Sequence, residues 1–312
     1  MHIDWALTGV TVTSVVKLGI MALFGVMGVK MGILDDVGTD KLTKVLLNIL
    51  IPAMLFSSYF TEFQPDKLSN MLKVFLASFL CHVVSMVIIR LVIRKKNNPE
   101  YEVESAMALL TNCGSIGIPL ISMILGQECV FFVAAYMTIN SFFLWIYVPL
   151  LFSGKVTKQS VKKAFISPCL VAIYLGLIVF FFRIPIPQII AVPIESVGSC
   201  SASVAMMIGG ALVARSDIKG LLKNPRAYFV TFVRLILNPL VCIPVLLLIP
   251  MPRDLSLTIY IAHAAGSGFA CAMLAREYKK NAGYCAGIMA LATVFCMVTV
   301  PIMVAVYTMF IH

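Results

Sequence analysis

The segment ALLTNCGSIGIPLISMIL, residues 108–125, is apolar at both ends and interrupted in its middle. The interruption contains Gly114, Gly117 and Pro119, which are of the residue types that most weaken a helix. An apolar segment of about 20 residues is typical of a membrane-spanning helix. Backbone groups freed inside such a helix cannot face lipid, where each unpaired group is costly. The sequence therefore predicts a broken membrane helix whose opened backbone faces protein or a polar cavity.

The whole chain has the composition of a membrane protein. Of its 312 residues, 61% are hydrophobic and 12% are charged, and its mean hydropathy is +1.00. A soluble domain has about 25% charged residues. We expect an all-α polytopic membrane protein with no separate soluble domain. Hydropathy predicts ten spans, at residues 8–29, 41–60, 71–93, 103–126, 129–152, 165–183, 188–214, 226–250, 255–275 and 283–311.

The basic residues indicate how these spans are oriented. Of the 24 Lys and Arg residues, 18 lie in or beside the five loops on one side, and four lie in the loops on the other side. Because cytoplasmic loops are enriched in Lys and Arg, the pattern predicts a cell-membrane protein with both termini outside. The same distribution accounts for the net charge of +10 without a nucleic-acid partner.

A short basic segment, residues 154–164, divides the spans five and five. The halves, 1–153 and 165–312, then enter the membrane from opposite sides, which predicts an inverted 5+5 repeat. The fourth span of the second half contains HAAGSGFACAM, residues 263–273, which has no proline, so Gly266, Ser267 and Gly268 would have to break it. Interrupted spans at matching positions of two halves are typical of a transport site at the bilayer midplane.

The candidate substrate-binding residues follow from this pattern. Those from the two interruptions are Asn112, Gly114, Ser115, Gly117, Pro119, Gly266, Ser267 and Gly268. Lys17 and Arg234 lie inside predicted spans and would suit an anionic substrate. A proline kink with close helix packing is the alternative for the first interruption, and snorkelling to an interface is the alternative for the two cations.

Three further residues are candidates for ion coupling. Glu195 could carry a proton or help to coordinate Na⁺, or it could lie at the outer mouth of its span. His82 and His263 could relay protons, or each could form an interhelical hydrogen bond. We expect no other cofactor and no metal, because the nine cysteines are scattered without a metal-binding spacing. No nucleotide-binding loop or Ser/His/Asp set suggests an enzyme.

The chain resembles the auxin efflux carrier family of secondary transporters. The similar strings are LTKVLLNILIPAMLFSSY (42–59), NCGSIGIPL (112–120), MIGGALVA (207–214), RLILNPL (234–240) and LAREYKKN (274–281). The resemblance implies scaffold and transport portions, two crossing broken helices, and movement of organic anions driven by ion gradients or the membrane potential. It makes Asn112 and Pro119 the crossover residues. The long central hydrophilic loop of the plant exporters is absent, which favours a compact bacterial-type permease.

These observations predict a secondary transporter of a small organic anion that works by alternating access. Three alternatives stay open: a sodium-coupled symporter of the bile-acid type, a membrane sensor or structural subunit without flux, and a channel. The sequence implies the lipid bilayer and the anion as partners, and it leaves a homodimer open.

Overall fold

The computed structural model describes residues 3–215, 224–268 and 270–311. Over these residues the secondary structure is helical apart from one isolated β-bridge. The helices are α1 Trp5–Lys30, α2 (Asp36–Val45, Leu46–Leu50 and Ile51–Ser57 in succession), α3 Pro65–Val92, α4 Tyr101–Leu109, α5 Cys113–Leu125, α6 Gln127–Ser153, α7 Lys158–Ile166, α8 Pro168–Phe181, α9 Gln188–Arg215, α10 Pro225–Leu248, α11 Arg253–Ala264, α12 Ala270–Glu277 and α13 Ala282–Thr308.

Among the described residues, six helices are long and apolar enough to cross a membrane: α1, α3, α6, α9, α10 and α13. Each coincides with one predicted span. The helices α5 and α8 are apolar but shorter. The predicted fourth and ninth spans are each divided into two helices, α4 with α5 and α11 with α12. The chain is therefore an integral membrane protein, and the ten-span layout stays a prediction.

Four of the helices contain a π-helical turn that ends two residues before a proline. The turns are Leu46–Leu50, Cys113–Gly117, Phe143–Tyr147 and Val233–Leu237, ahead of Pro52, Pro119, Pro149 and Pro239. Proline has no N–H to donate, and its ring clashes with the preceding turn. The wider turn accommodates the ring, and the helix continues. In α5, for example, the Ile118 N–H donates to the Cys113 carbonyl, five residues back.

The helices pack as two bundles. The first bundle contains α1, α2, α8 and α9, and the second contains α3 to α6 with α10 to α13. Backbones approach closely in the first bundle, where Gly25 of α1 lies against Met207 and Gly210 of α9 lies against Ala22. Both bundles combine helices from the two predicted halves of the chain. The broken helices belong to the second bundle, and one of them faces α9 of the first.

Candidate functional site

The two broken helices cross at their interruptions. α4 ends at Leu109 and α11 ends at Ala264, and the extended residues that follow form an antiparallel β-bridge between Thr111 and Ser267. The Asn112 N–H donates to the Gly266 carbonyl at 2.7 Å, and the Gly268 N–H donates to the Leu110 carbonyl at 3.1 Å. The bridge thus satisfies backbone groups that lipid would leave unpaired.

Small residues in the ninth-span interruption allow this close approach. A Cβ on Gly268 would lie 2.9 Å from the Thr111 carbonyl oxygen, which is too close for any other residue type. The Ser267 hydroxyl donates to the Met107 carbonyl at 3.0 Å, so it is committed to the last turn of α4. The ninth-span helix therefore breaks without a proline, because the glycines and the serine fit the partner segment.

Arg234 joins the two broken helices. Its fully buried guanidinium donates from Nη2 to the carbonyls of His263 at 2.5 Å and Ala265 at 2.8 Å. Nη1 lies 3.4 Å from the carbonyl oxygens of both Ala108 and Leu109. These carbonyls belong to the C-terminal ends of α4 and α11, where the helix dipole is negative. One cation thus compensates both negative ends at the crossover.

A small cavity lies beside the crossover. Asn112 and Ser115 line it on one side, and residues of α9 and α13, including Gly209 and Thr293, line the other sides. Its volume is about 20 Å³, which is room for about one water molecule. The Ser115 hydroxyl is buried and has no hydrogen-bond partner among the described residues. An unpaired polar group in such a place is costly unless a ligand or water satisfies it.

A histidine pair lies behind the crossover in the second bundle. The rings of His82 on α3 and His263 on α11 meet edge to face, with their centroids 5.3 Å apart. Both side chains are fully buried. His263 contacts two hydroxyls, with Nδ1 3.0 Å from the Tyr136 oxygen and Nε2 3.1 Å from the Ser85 oxygen.

His82 connects this pair to the crossover backbone. Its Nδ1 lies 2.8 Å from the Ser78 carbonyl oxygen, and its Nε2 lies 3.5 Å from Oδ1 of Asn140. The same Asn140 oxygen accepts the N–H of Thr111, the bridge residue, at 3.4 Å. Side chains from α3, α6 and α11 are thus joined to the interruption in a single polar network.

A sequence comparison identifies the kind of protein that carries this crossover. The sequence model of a family described as "Membrane transport protein" matches residues 10–161 and 153–304, and together these cover most of the chain. The chain belongs to this auxin efflux carrier family. No curated protein matched in a separate search. The predicted family and the predicted membrane transport class are confirmed, and members of this transporter family are generally not enzymes.

The structure of this auxin efflux carrier family member divides the predicted binding residues into groups. Asn112 and Ser115 line the cavity, while Gly266, Ser267 and Gly268 form the crossover bridge. The predicted place of the first break was wrong by a few residues: the chain opens at residues 110–112, and the other predicted residues lie inside α5, where they have packing roles. A Cβ on Gly114 would lie 3.3 Å from Ile51, and Gly117 fits between Cys113 and α11. Pro119 follows the π-helical turn.

Lys17 and Glu195 lie elsewhere in this transport protein. Lys17 is on an exposed face of α1, next to the exposed apolar side chain of Val16. Glu195 is exposed on α9 and lines a separate cavity of about 450 Å³ together with Lys67 and Glu128. The structure thus brings neither residue to the crossover. Among the described residues, no group of three His, Cys, Asp or Glu side chains could hold a metal ion.

Sequence reasoning missed several polar residues of the second bundle. Tyr136, Asn140 and Ser85 are not part of any sequence motif. Only their contacts with His263 and Thr111, which lie far from them along the chain, show that they belong to this network. Glu104 did carry a signal, because it is a carboxylate inside the predicted fourth span. It is fully buried and accepts bonds from Arg226, Tyr284 and Asn98, with the shortest, 2.7 Å, from Arg226 Nη2 and from Asn98. This cluster ties the start of α4 to α10 and α13.

Proposed function

We propose that this family member is a secondary active transporter of a small organic anion in the cell membrane, with the substrate held at the crossover. The observation that carries the proposal is Ser115. Its hydroxyl is buried and unpaired among the described residues, it lines the cavity, and it lies in the first turn of α5. A buried donor that lacks a partner favours a ligand with acceptor oxygens.

The charge distribution favours an anion over a cation. Four helix ends meet at the crossover: the C-termini of α4 and α11, and the N-termini of α5 and α12. Arg234 occupies the two negative C-terminal ends. Because Arg234 already compensates the negative C-terminal dipoles, those dipoles no longer offset the positive N-terminal dipoles of α5 and α12. The two N-terminal ends therefore attract negative charge. Arg234 would therefore act on the substrate through the electrostatic field, and Asn112 and Ser115 would contact it.

The size of the cavity and the helices that form its walls support the proposal of alternating access. At about 20 Å³ the cavity is closed to an organic anion in this conformation. Its far wall is α9 of the first bundle, which is held to α1 by glycine contacts. We infer that the second bundle moves against this rigid frame and opens the site to each side in turn.

The 5+5 inverted repeat and the external termini form part of the same proposal. Each bundle combines helices from both predicted halves, residues 1–153 and 165–312, as two intertwined repeats would require. The distribution of Lys and Arg supports the orientation.

Counterflow in proteoliposomes tests the transport proposal. Vesicles loaded with unlabelled succinate or benzoate should accumulate the labelled anion. Ser115→Ala should reduce the initial rate at least tenfold, since it removes a contact to the substrate. Ser203→Ala is the matched control, because Ser203 is exposed on α9, and its rate should match the wild type.

Three outcomes would overturn the proposal. Counterflow that is unchanged in Ser115→Ala removes the assigned site. Uptake that is strictly dependent on Na⁺ favours the bile-acid type of symporter. No exchange of either anion, from protein that is folded, favours a sensor or structural subunit.

A further inference from the structure

His82 faces two hydrogen-bond acceptors. Nδ1 lies 2.8 Å from the Ser78 carbonyl oxygen, and a carbonyl only accepts, so Nδ1 carries a hydrogen. In a neutral ring, Nε2 then has a bare lone pair. That lone pair would face the Asn140 Oδ1 atom 3.5 Å away, which is also an acceptor. Only the doubly protonated ring can donate to both groups.

The orientation of the Asn140 amide is fixed from the opposite side. The Thr111 N–H points at Oδ1 at 3.4 Å. If the amide were turned over, its NH₂ group would satisfy a neutral His82 but would confront the Thr111 N–H with a second donor. With Oδ1 in this position, the Asn140 amide accepts from both the Thr111 N–H and a charged His82. With the NH₂ group in this position, it donates to a neutral His82 and loses the bond to Thr111.

We propose that the His82–His263 pair is the binding site for one coupled proton, and that Asn140 transmits its occupancy to the crossover. This inference rests on the proposed transport function, for which it names the coupling ion. When the proton is bound, His82 and Thr111 both donate to Asn140. When it leaves, Asn140 turns toward the His82 lone pair, and the Thr111 N–H loses its side-chain acceptor. The β-bridge residue thus responds to the proton.

The surroundings of the pair limit it to one proton. The rings are 5.3 Å apart, so two imidazolium charges would repel each other strongly. His263 accommodates either state, because the Tyr136 and Ser85 hydroxyls can donate or accept, and so can the Cys242 thiol that also bonds to this ring. Among the described residues, the titratable or charged groups beside the two rings are Tyr136 on α6 and Arg234 and Cys242 on α10. Cys113 lies next to Tyr136, and Cys81 lies next to Cys242.

The same surroundings couple the proton to an anion. Arg234 already places one positive charge beside the pair. Among the described residues, no carboxylate contacts either ring, and the buried Glu104 is paired with Arg226. A second cation is therefore costly until negative charge arrives. An organic anion next to Asn112, one residue from Thr111, supplies that charge. Proton and anion then bind together and cross together.

Nitrogen-15 NMR of the histidine side chains tests the proton site directly. The ¹⁵N-histidine-labelled protein is titrated in lipid nanodiscs without substrate, from about pH 4.5 to 9, and His82→Gln and His263→Gln assign the signals. We expect the pair to take up one proton. The anion that exchanges in the counterflow assay should move the midpoint to higher pH.

Two variants of Asn140 separate this role from simple packing. Asn140→Asp offers only acceptors, so the midpoint should rise by about one pH unit or more. Asn140→Leu removes the acceptor, so the midpoint should fall. Midpoints that shift in the same direction, or rings that hold one protonation state over the whole range in the wild type, would overturn the inference.

Because the first titration contains no substrate, the two proposals fail separately. A protein that titrates but exchanges neither anion contradicts the transport proposal only. A protein that exchanges an anion while its rings never titrate contradicts the proton site only.

Discussion

Gly210 of α9 packs directly against the carbonyl group of Ala22 in α1, and a Cβ built on this glycine would overlap the carbonyl oxygen. Gly25 of α1 makes the reciprocal contact with the carbonyl of Met207. Backbone atoms contact backbone atoms at both points, so a larger residue at either glycine would cause a clash that no side-chain rotation could relieve. The first bundle is fixed at this crossing.

Gly210→Ala should therefore lower the stability of the folded protein. Overpacking of this kind costs about 1–3 kcal/mol. The neighbouring Gly209→Ala is the control, because its Cβ would meet nothing closer than the Thr293 methyl group at 3.9 Å. The melting temperature in detergent should fall for the first variant and stay level or rise for the second. Equal melting temperatures would contradict the close contact.

Replacement of Arg234 should loosen the crossover itself. Arg234→Met leaves carbonyls of two helix ends without a donor, each at a cost of about 1–3 kcal/mol. Arg234→Lys should also be impaired, because one ammonium group cannot reach four carbonyls spread over α4 and α11. Hydrogen exchange should speed up at the bridging amides of Asn112 and Gly268. The control is Lys17→Met, which removes the exposed cation of α1 and should leave both amides as protected as in the wild type.

Glu104→Gln should destabilise the cluster between α4, α10 and α13. The change leaves the bidentate Arg226 without its counter-charge. Breaking a fully buried pair costs about 3–5 kcal/mol, and here we expect less, about 1–3 kcal/mol, because Arg226 is 43% exposed. Glu102→Gln is the matched control, since its contact with Lys280 is long at 3.9 Å. A denaturation series that ranks the two variants equally would argue against the assigned role of Glu104.

The start of α1 should make stability depend on pH. The pKa of the Asp4 carboxyl is lowered from its usual 3.8, first because it accepts the Leu7 N–H and next because Arg253 donates to it. The ionised Asp4 carboxyl therefore stabilises the folded state at any pH above its usual pKa. This stabilisation is lost as the pH falls through the lowered pKa of the folded protein. Asp4→Asn should melt below the wild type at pH 7, and the gap should close below about pH 3.8. A difference in melting temperature that persists in acid would mean that the charge of Asp4 is not the cause of the difference.

The crossover was largely predictable because its cause is local. The glycines and the proline at residues 114–119 indicated a break in the fourth span, although they lie inside α5 and the chain opens just before them, at residues 110–112. The cluster at Gly266–Gly268 coincides with the break in the ninth span. In the same way, Lys and Arg in the loops predict which side of the membrane a loop lies on, and apolar segments predict the spans. These signals are carried by neighbouring residues, so one sequence is sufficient to find them.

The partners inside the second bundle could not be predicted in the same way. The sequence shows that Arg234 is a cation within a span, but its acceptors lie on α4 and α11, more than a hundred residues before it and about thirty after it. Asn140 and Tyr136 are ordinary residues of an apolar helix until Thr111 and His263 are placed beside them. Such contacts are set by the path of the chain, which no local pattern records.

The π-helical turns have a consequence for how these spans are compared with others. A π-turn holds one residue more than an α-helical turn, so the register of the helix shifts by about 100° across it. A helical wheel drawn through Pro225–Leu248 as a single helix would therefore assign the residues on one side of Val233–Leu237 to the wrong face. A relative that lacked the proline would need one residue fewer to present the same face. In such an alignment, a single-residue gap at the turn is the structurally correct one.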